Sequence, residues 1–471
     1  MSLQSLQFFV FMALVFGVTQ ALRSRPVSRK RFLLVASYAF YSLWDWRVVG
    51  VLLLMTAVNF VAAKRIEASM SPRERRAWLA VAATVCLGLL ALAKYANFFL
   101  ASLAALLAMF GLHADIALLN VLLPIGISFF TFQSLSYVFD VFRRVQSPCP
   151  EVIDFALFVA FFPTLLAGPV TRARWLLPQI ATMAPASASQ AESGLALLAR
   201  GFVRKIAFAD VLAAHLVDPA FADPSAFSPW FLAVALYAYS FQIYMDVAGY
   251  TDIARGMARL IGFELPLNFD RPYLSRSVSN FWQRWHISVS SFFRDYLFFG
   301  LGGSRSGNVY RNLMLTFLAI GLWHGAGWNF IAYGAAHGSA VCLERWWRNR
   351  HPGPAMASTA VSRVPWLGVA ATFHFVVISR ILFRAGDLDA ARAYATAMTR
   401  FGAGTMPFDA LGLSVLALAL AAHLVPRHWA DLSLERFQRL PALAQAAGLT
   451  VAIYVLAALT TSQPSFVYFQ F

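Results

Sequence analysis

Two histidines stand directly after tryptophans in stretches otherwise suited to hydrocarbon: Trp285-His286 in FWQRWHISVSSFFRDYLFFGLGG and Trp323-His324 in LMLTFLAIGLWHGAGWNFIAYGAAHG. Ionisable side chains inside a membrane are costly, and those that persist face a protein interior or a water-filled cavity and do chemistry there. His324 closes an apolar run from Leu313 to Trp323 broken only by Thr316 and Gly321, which places it at or near bilayer depth. Imidazole exchanges a proton near neutral pH, so a buried pair reads first as a reaction centre. In acyl transfer one imidazole would take the proton of an incoming hydroxyl. The other would orient a thioester or stabilise the oxyanion, and the residues alone do not divide these roles. Gly325 and Gly327 beside His324 permit close approach of a substrate or another backbone. His286 shares its segment with Arg284, Arg294 and Asp295, a more polar setting, whereas His337 in AAHGS reads as structural.

A second polar stretch, Tyr244 to Gly256, sets the carboxylates Asp246 and Asp252 in apolar surroundings without metal-ligand spacing. They could wall a cavity and orient a histidine or a hydroxyl substrate. The favoured alternative is an ion-pair network with Arg255, Arg259 or Arg284 that holds the bundle together. Asn268 to Tyr273 forms a Pro-containing loop that leads through Ser275 to Asn280 into a capped helix, placed at the cytosolic face where it could line an access funnel. Gly302-Gly303-Ser304-Arg305 is a flexible basic loop and a weak signal for phosphate contact.

The elements that must position these residues are membrane helices. Hydrophobic residues make up 59% of the chain and charged residues 13%, about half the usual charged share of soluble domains, so a polytopic helical membrane protein is expected. A β-barrel would need short alternating segments rather than these long apolar runs. The net charge of +16 does not indicate nucleic acid, because the basic residues fall in short clusters between apolar segments: Arg23 to Arg31, Arg73 to Arg76, Arg143 and Arg144, and Arg200 to Lys205. That is the pattern of cytoplasmic loop retention. Such a surface would also attract an anionic donor such as a coenzyme A thioester. Three cysteines without paired spacing indicate neither a disulfide framework nor a zinc site, and no metal is expected.

A spanning helix needs about twenty apolar residues. Candidates lie near 5–22, 31–45, 48–64, 77–97, 117–140, 152–170, 194–217, 228–247, 248–263, 278–300, 311–330, 331–347, 365–384, 409–425 and 443–461. Several are short or polar, so ten to twelve true crossings are expected, with the rest re-entrant or interfacial. The first segment reads as a retained helix, with the N-terminus outside and loops 23–30, 65–76 and 143–144 in the cytoplasm. Between 31 and 64 the chain should turn at Asp45-Trp46-Arg47. Lys94 to Asn97 should break the fourth segment into spanning and interfacial parts, and the loop near His113 and Asp115 should face outside. Polar breaks at Pro124 to Ser128, at Pro163 with Gly168-Pro169, and at Gly249 to Asp252 imply a thick bundle with internal cavities. A single domain is the economical description, with N-terminal helices at 1–145, a catalytic core at 146–350 and C-terminal helices at 351–471.

Both tryptophan–histidine segments resemble the membrane-bound O-acyltransferase superfamily, in its bacterial branch that acetylates alginate and D-alanylates teichoic acid. RFLLVASYAFYSLWDWR, KYANFF, LLPIGISFFTFQSLSYVFDV, FVAFFPTLLAGPV, YMDVAGYTDIARG and the closing FVYFQF extend the resemblance over nearly the whole chain. Val247-Ala248 departs from the bulkier or hydroxyl residues common before Gly249-Tyr250. The resemblance implies a ring of helices around a thinned centre, with a tunnel joining the cytosol to the opposite face. It implies His324 as the catalytic histidine and His286 as the second; the candidates for lining the substrate path, taken from the residues themselves, are Trp285, Trp323, Asp246, Asp252, Arg284, Arg294, Asp295 and Asn329.

The implied function is acetyl transfer from a cytosolic thioester, acetyl-CoA, across the bacterial inner membrane. The acceptor would be an exported polysaccharide such as alginate, reached directly or through a periplasmic SGNH-type acetyltransferase. No cofactor is expected to stay bound, and the partners are lipid, donor and glycan. Alternatives are D-alanyl transfer to an envelope polymer, or a non-enzymatic transporter with a histidine proton relay. The second lacks the matching hydrophobic halves of a repeat. A lipid-linked glycosyltransferase ranks last.

Overall fold

The computed structural model describes residues 5–43, 45–112, 117–119, 123–351, 365–402, 404–426, 429, 432, 436–437 and 439–459. The expected external loop around His113 and Asp115 and the closing FVYFQF lie outside them. Among the described residues the chain is all-α, with one isolated bridge between Phe227 and Thr405. Four helices are long and apolar enough to cross a membrane: Trp46–Ala68, Pro72–Met109, Pro229–Leu260 and Trp366–Arg384. Three shorter apolar helices, Leu6–Ala21, Ile127–Phe142 and Ala410–Leu424, join them. The chain is thus an all-α membrane protein.

The backbone divides into two compact units. The first comprises Met1–Leu198 with Ala254–Leu267, and the second Ala199–Ile253 with Asn268–Phe471. In the first, Pro26–Ser42 turns into the next helix through Asp45, whose carboxylate accepts from the Arg47 backbone and guanidinium. The Arg47 hydrogen bonds hold that carboxyl below the usual aspartate range. Not every residue of the basic clusters faces the surface. Arg29 is buried and donates to the carbonyls of Met183 and Ile261 at 2.8 and 2.5 Å, two carbonyls just past helix C-termini that would otherwise lack partners. The expected break at Lys94 to Asn97 is milder than a break. A π-helical turn, Ala91–Tyr95, links Pro72–Leu90 to Ala96–Met109 in a 38-residue rod.

The second expected break, at Gly249 to Asp252, is absent, because Pro229–Leu260 runs through it as one 32-residue helix. The polar residues there have partners. Asp252 accepts from Arg200 at 2.8 Å and from Arg204, while Lys205 lies 2.7 Å from Asp246 and 2.9 Å from Asp210. Gly249 serves close approach rather than termination: a methyl group on it would sit 2.9 Å from the Gly201 carbonyl oxygen.

Segment 278–300 is not one helix. It divides into Val278–Arg284, Ile287–Phe292 and the π-helical turn Phe293–Phe298, with Trp285-His286 at the first joint. Ser277 caps the first piece by accepting from the Asn280 amide, as the loop pattern predicts. Val309–His324 and Trp328–Arg350 form an antiparallel hairpin around Gly325-Ala326-Gly327. A methyl on Gly321 would lie 2.2 Å from the Phe330 carbonyl, and one on Gly334 2.4 Å from that of Phe317. Small residues let the two backbones touch, the usual device of membrane helix pairs.

Candidate active site

His324 is the last residue of its helix, delivered to the core by the Gly-rich joint that follows. It is 2% exposed. Its ring lies 4.8 Å from that of Trp323, 4.9 Å from Phe383 and 6.1 Å from Tyr333, centroid to centroid. His286 is 1% exposed and lies 5.6 Å from the same Trp323 indole and 5.6 Å from Phe269. Two histidines far apart in sequence therefore border one indole.

His286 occupies a left-handed backbone conformation, φ 46° and ψ 51°, as the residue before Ile287–Phe292. Such a conformation is uncommon outside glycine, asparagine and aspartate, and it persists where surroundings over-determine it. Asn268, fully buried, supplies the constraint. Its carbonyl accepts from the Ile287 amide at 2.8 Å, and its Oδ1 accepts from the Ser288 amide and hydroxyl at 3.0 and 2.9 Å. On the other side the Asp270 amide donates to the Arg284 carbonyl at 2.9 Å. The Trp285-His286 turn is thus gripped from both ends.

His337 illustrates a histidine already committed. The Trp282 indole N–H can only donate, so it fixes His337 Nδ1 as acceptor at 3.2 Å. The neutral ring then carries its proton on Nε2, 3.0 Å from Ser379 Oγ, and the Ser379 hydroxyl donates to the Val376 carbonyl at 2.7 Å. No capacity remains for a substrate proton, in agreement with the structural reading of this residue.

The other expected lining residues separate by position. Trp285 and Trp323 are buried at the centre. Asn329 is buried and donates to the carbonyls of Leu382 and Ala385 at 3.2 and 2.8 Å, tying its helix to the end of Pro365–Arg384, where Phe383 faces His324. Asp246 and Asp252 belong to the ion-pair network of the long helix, with Arg200, Arg204 and Lys205 as partners in place of the expected Arg255, Arg259 or Arg284. Arg284 contributes its backbone carbonyl to the turn, and Arg294 pairs with Asp295 at 2.8 Å on an exposed side. Asn268, Tyr333, Phe383 and Arg380 complete the surroundings; Asn268 and Tyr333 lie within motifs singled out above but were not themselves read as site residues, and Phe383 and Arg380 lie outside those motifs. Only Arg380 had a visible signal, a cation inside an apolar run. No cluster of three metal-ligating side chains occurs among the described residues.

Fold and centre together define an integral membrane protein with two imidazoles about one buried indole. The family model of the membrane-bound O-acyltransferase family matches residues 33–384, and the chain belongs to that family, whose members are O-acyltransferases. It is 41% identical over 404 residues to the protein named probable alginate O-acetylase AlgI of Pseudomonas aeruginosa, covering 83% of this chain and 75% of that one. Its counterpart in Azotobacter vinelandii is 39% identical, with 84% and 78% covered. A peptidoglycan O-acetyltransferase of Helicobacter pylori is 32% identical, with 81% and 77% covered.

Proposed function

We propose that this chain moves an acetyl group from a cytosolic acetyl-CoA thioester across the bacterial inner membrane to hydroxyls of an exported, alginate-like polysaccharide. Delivery is direct or through a periplasmic SGNH-type acetyltransferase. The observation that carries the reading is the convergence of His324 and His286 on one buried indole. Relatives named for O-acetylation of alginate and of peptidoglycan, at 32–41% identity, favour acetyl over D-alanyl transfer, whose named relatives are 28% identical.

The chemistry follows from the pair. His324 accepts the proton of the attacking hydroxyl as its oxygen bonds to the thioester carbon. His286 donates to the carbonyl oxygen as charge develops there, and the carbon–sulfur bond breaks. The proton held by His324 then passes to the departing thiolate, which restores both rings. Enclosure by Trp323, Tyr333 and Phe383 keeps water from the thioester. Asp246, Asp252, Arg284, Arg294, Asp295 and Asn329 shape or hold the path rather than react.

The test is His324→Ala, expressed in a strain deleted for its own copy. Polymer acetylation should fall at least a hundredfold while the amount of protein in the membrane is unchanged. Full acetylation by that variant would remove the reading, and solute flux without acyl chemistry in liposomes would support a transporter instead.

A further inference from the structure

Arg380 lies in the apolar helix Trp366–Arg384 and is fully buried, with 0% exposure. A guanidinium does not shed its proton, so its burial at membrane depth demands compensation. The compensation is aromatic. Its Cζ lies 4.6 Å from the Trp285 ring, 5.3 Å from Phe383 and 5.9 Å from Tyr333, and Nη1 donates to the Tyr333 hydroxyl at 3.3 Å. Two of these rings, Phe383 and Tyr333, border His324. The third, Trp285, precedes His286 on the gripped turn and packs at 5.1 Å on Phe269, which borders His286.

We propose that Arg380 is a positioning residue for acyl transfer. Its planar guanidinium holds the Trp285 face against the Phe383–Tyr333 wall and so sets the spacing of the two imidazoles across Trp323. Lysine would keep the charge, but it lacks the plane that stacks on indole while donating sideways to a hydroxyl. Geometry of this kind matters because small displacements of reacting groups cost large factors in rate. The proposal rests on the reading that His324 and His286 carry the reaction.

Membrane vesicles from the complemented deletion strain, supplied with radiolabelled acetyl-CoA, test it through label incorporated into polymer. Arg380→Lys should lower kcat at least tenfold and leave KM for acetyl-CoA within twofold, with thermal inactivation close to that of the unsubstituted protein. Arg380→Met should do the same or worse. A kcat within twofold in Arg380→Lys would overturn the proposal. So would a tenfold rise in KM, which would make Arg380 a donor contact, or a loss of activity that only tracks the folded fraction. His324→Ala in the same vesicles separates the two ideas. If it retains activity, the acyl-transfer reading fails and this proposal with it. If it is inactive while Arg380→Lys is normal, only the role of Arg380 fails.

Discussion

A histidine forced into left-handed backbone space is a place where side-chain identity and backbone conformation can be tested apart. Asparagine adopts that conformation with little penalty, whereas alanine loses about 1 kcal/mol or more there. His286→Asn should therefore be more heat-stable than His286→Ala in detergent, with both inactive in acetyl transfer. Activity in His286→Asn would show that position 286 serves the fold alone. The same residue scale explains what the sequence disclosed. His286 and His324 stood out in the sequence as imidazoles that each follow a tryptophan in an apolar run, and the fold brings both beside the Trp323 indole. Asn268 was not, since its task is to bind amides some twenty positions away, and an asparagine in a loop looks like any other. Tyr333 and Phe383 were hidden among the many aromatic residues of this chain, and only the packing of three segments shows which ones enclose a histidine.

At the level of elements, polar residues within apolar stretches proved the most ambiguous signal. Trp285-His286 and Gly325 to Gly327 do interrupt helices, yet Gly249 to Asp252 does not, because Arg200 and Arg204 neutralise Asp252 and Gly249 packs against Gly201. A pattern of residue types cannot tell a satisfied polar group from one that ends a helix, since the partners come from another segment. The hairpin that carries His324 gives a sharper expectation. Gly321→Ala and Gly334→Ala should each destabilise by about 1–3 kcal/mol through overpacking against backbone atoms. Because Gly321 and Gly334 also face each other, the double variant should cost less than the two singly, by at least about 0.5 kcal/mol. Gly88→Ala, which meets nothing within 4 Å, is the control and should be neutral or slightly stabilising. Equal effects at Gly88 and Gly334, read as thermal inactivation midpoints, would contradict the close contact.

For the molecule as a whole, the charge pattern fixes an expected orientation that labelling can check. A cysteine placed at Arg76 should resist an impermeant thiol reagent in intact spheroplasts and react after permeabilisation. One placed at Trp46, an exposed side chain, should react at once. Labelling of both from the same side would contradict the alternation. The rod from Pro72 to Met109 carries a further consequence. Its 38 residues measure about 57 Å, nearly twice the hydrocarbon thickness, and ordinary tilts of up to about 40° do not absorb the excess. After Pro72–Leu90 has crossed, Ala96–Met109 has no thickness left to traverse, and none of its residues is buried against protein. Continuous with the crossing helix, it therefore emerges beyond the hydrocarbon on the side where Pro72–Leu90 ends. Its fourteen residues, apolar but for Asn97 and Ser102, then stand clear of the bilayer core and must find cover at the headgroup interface or on another protein.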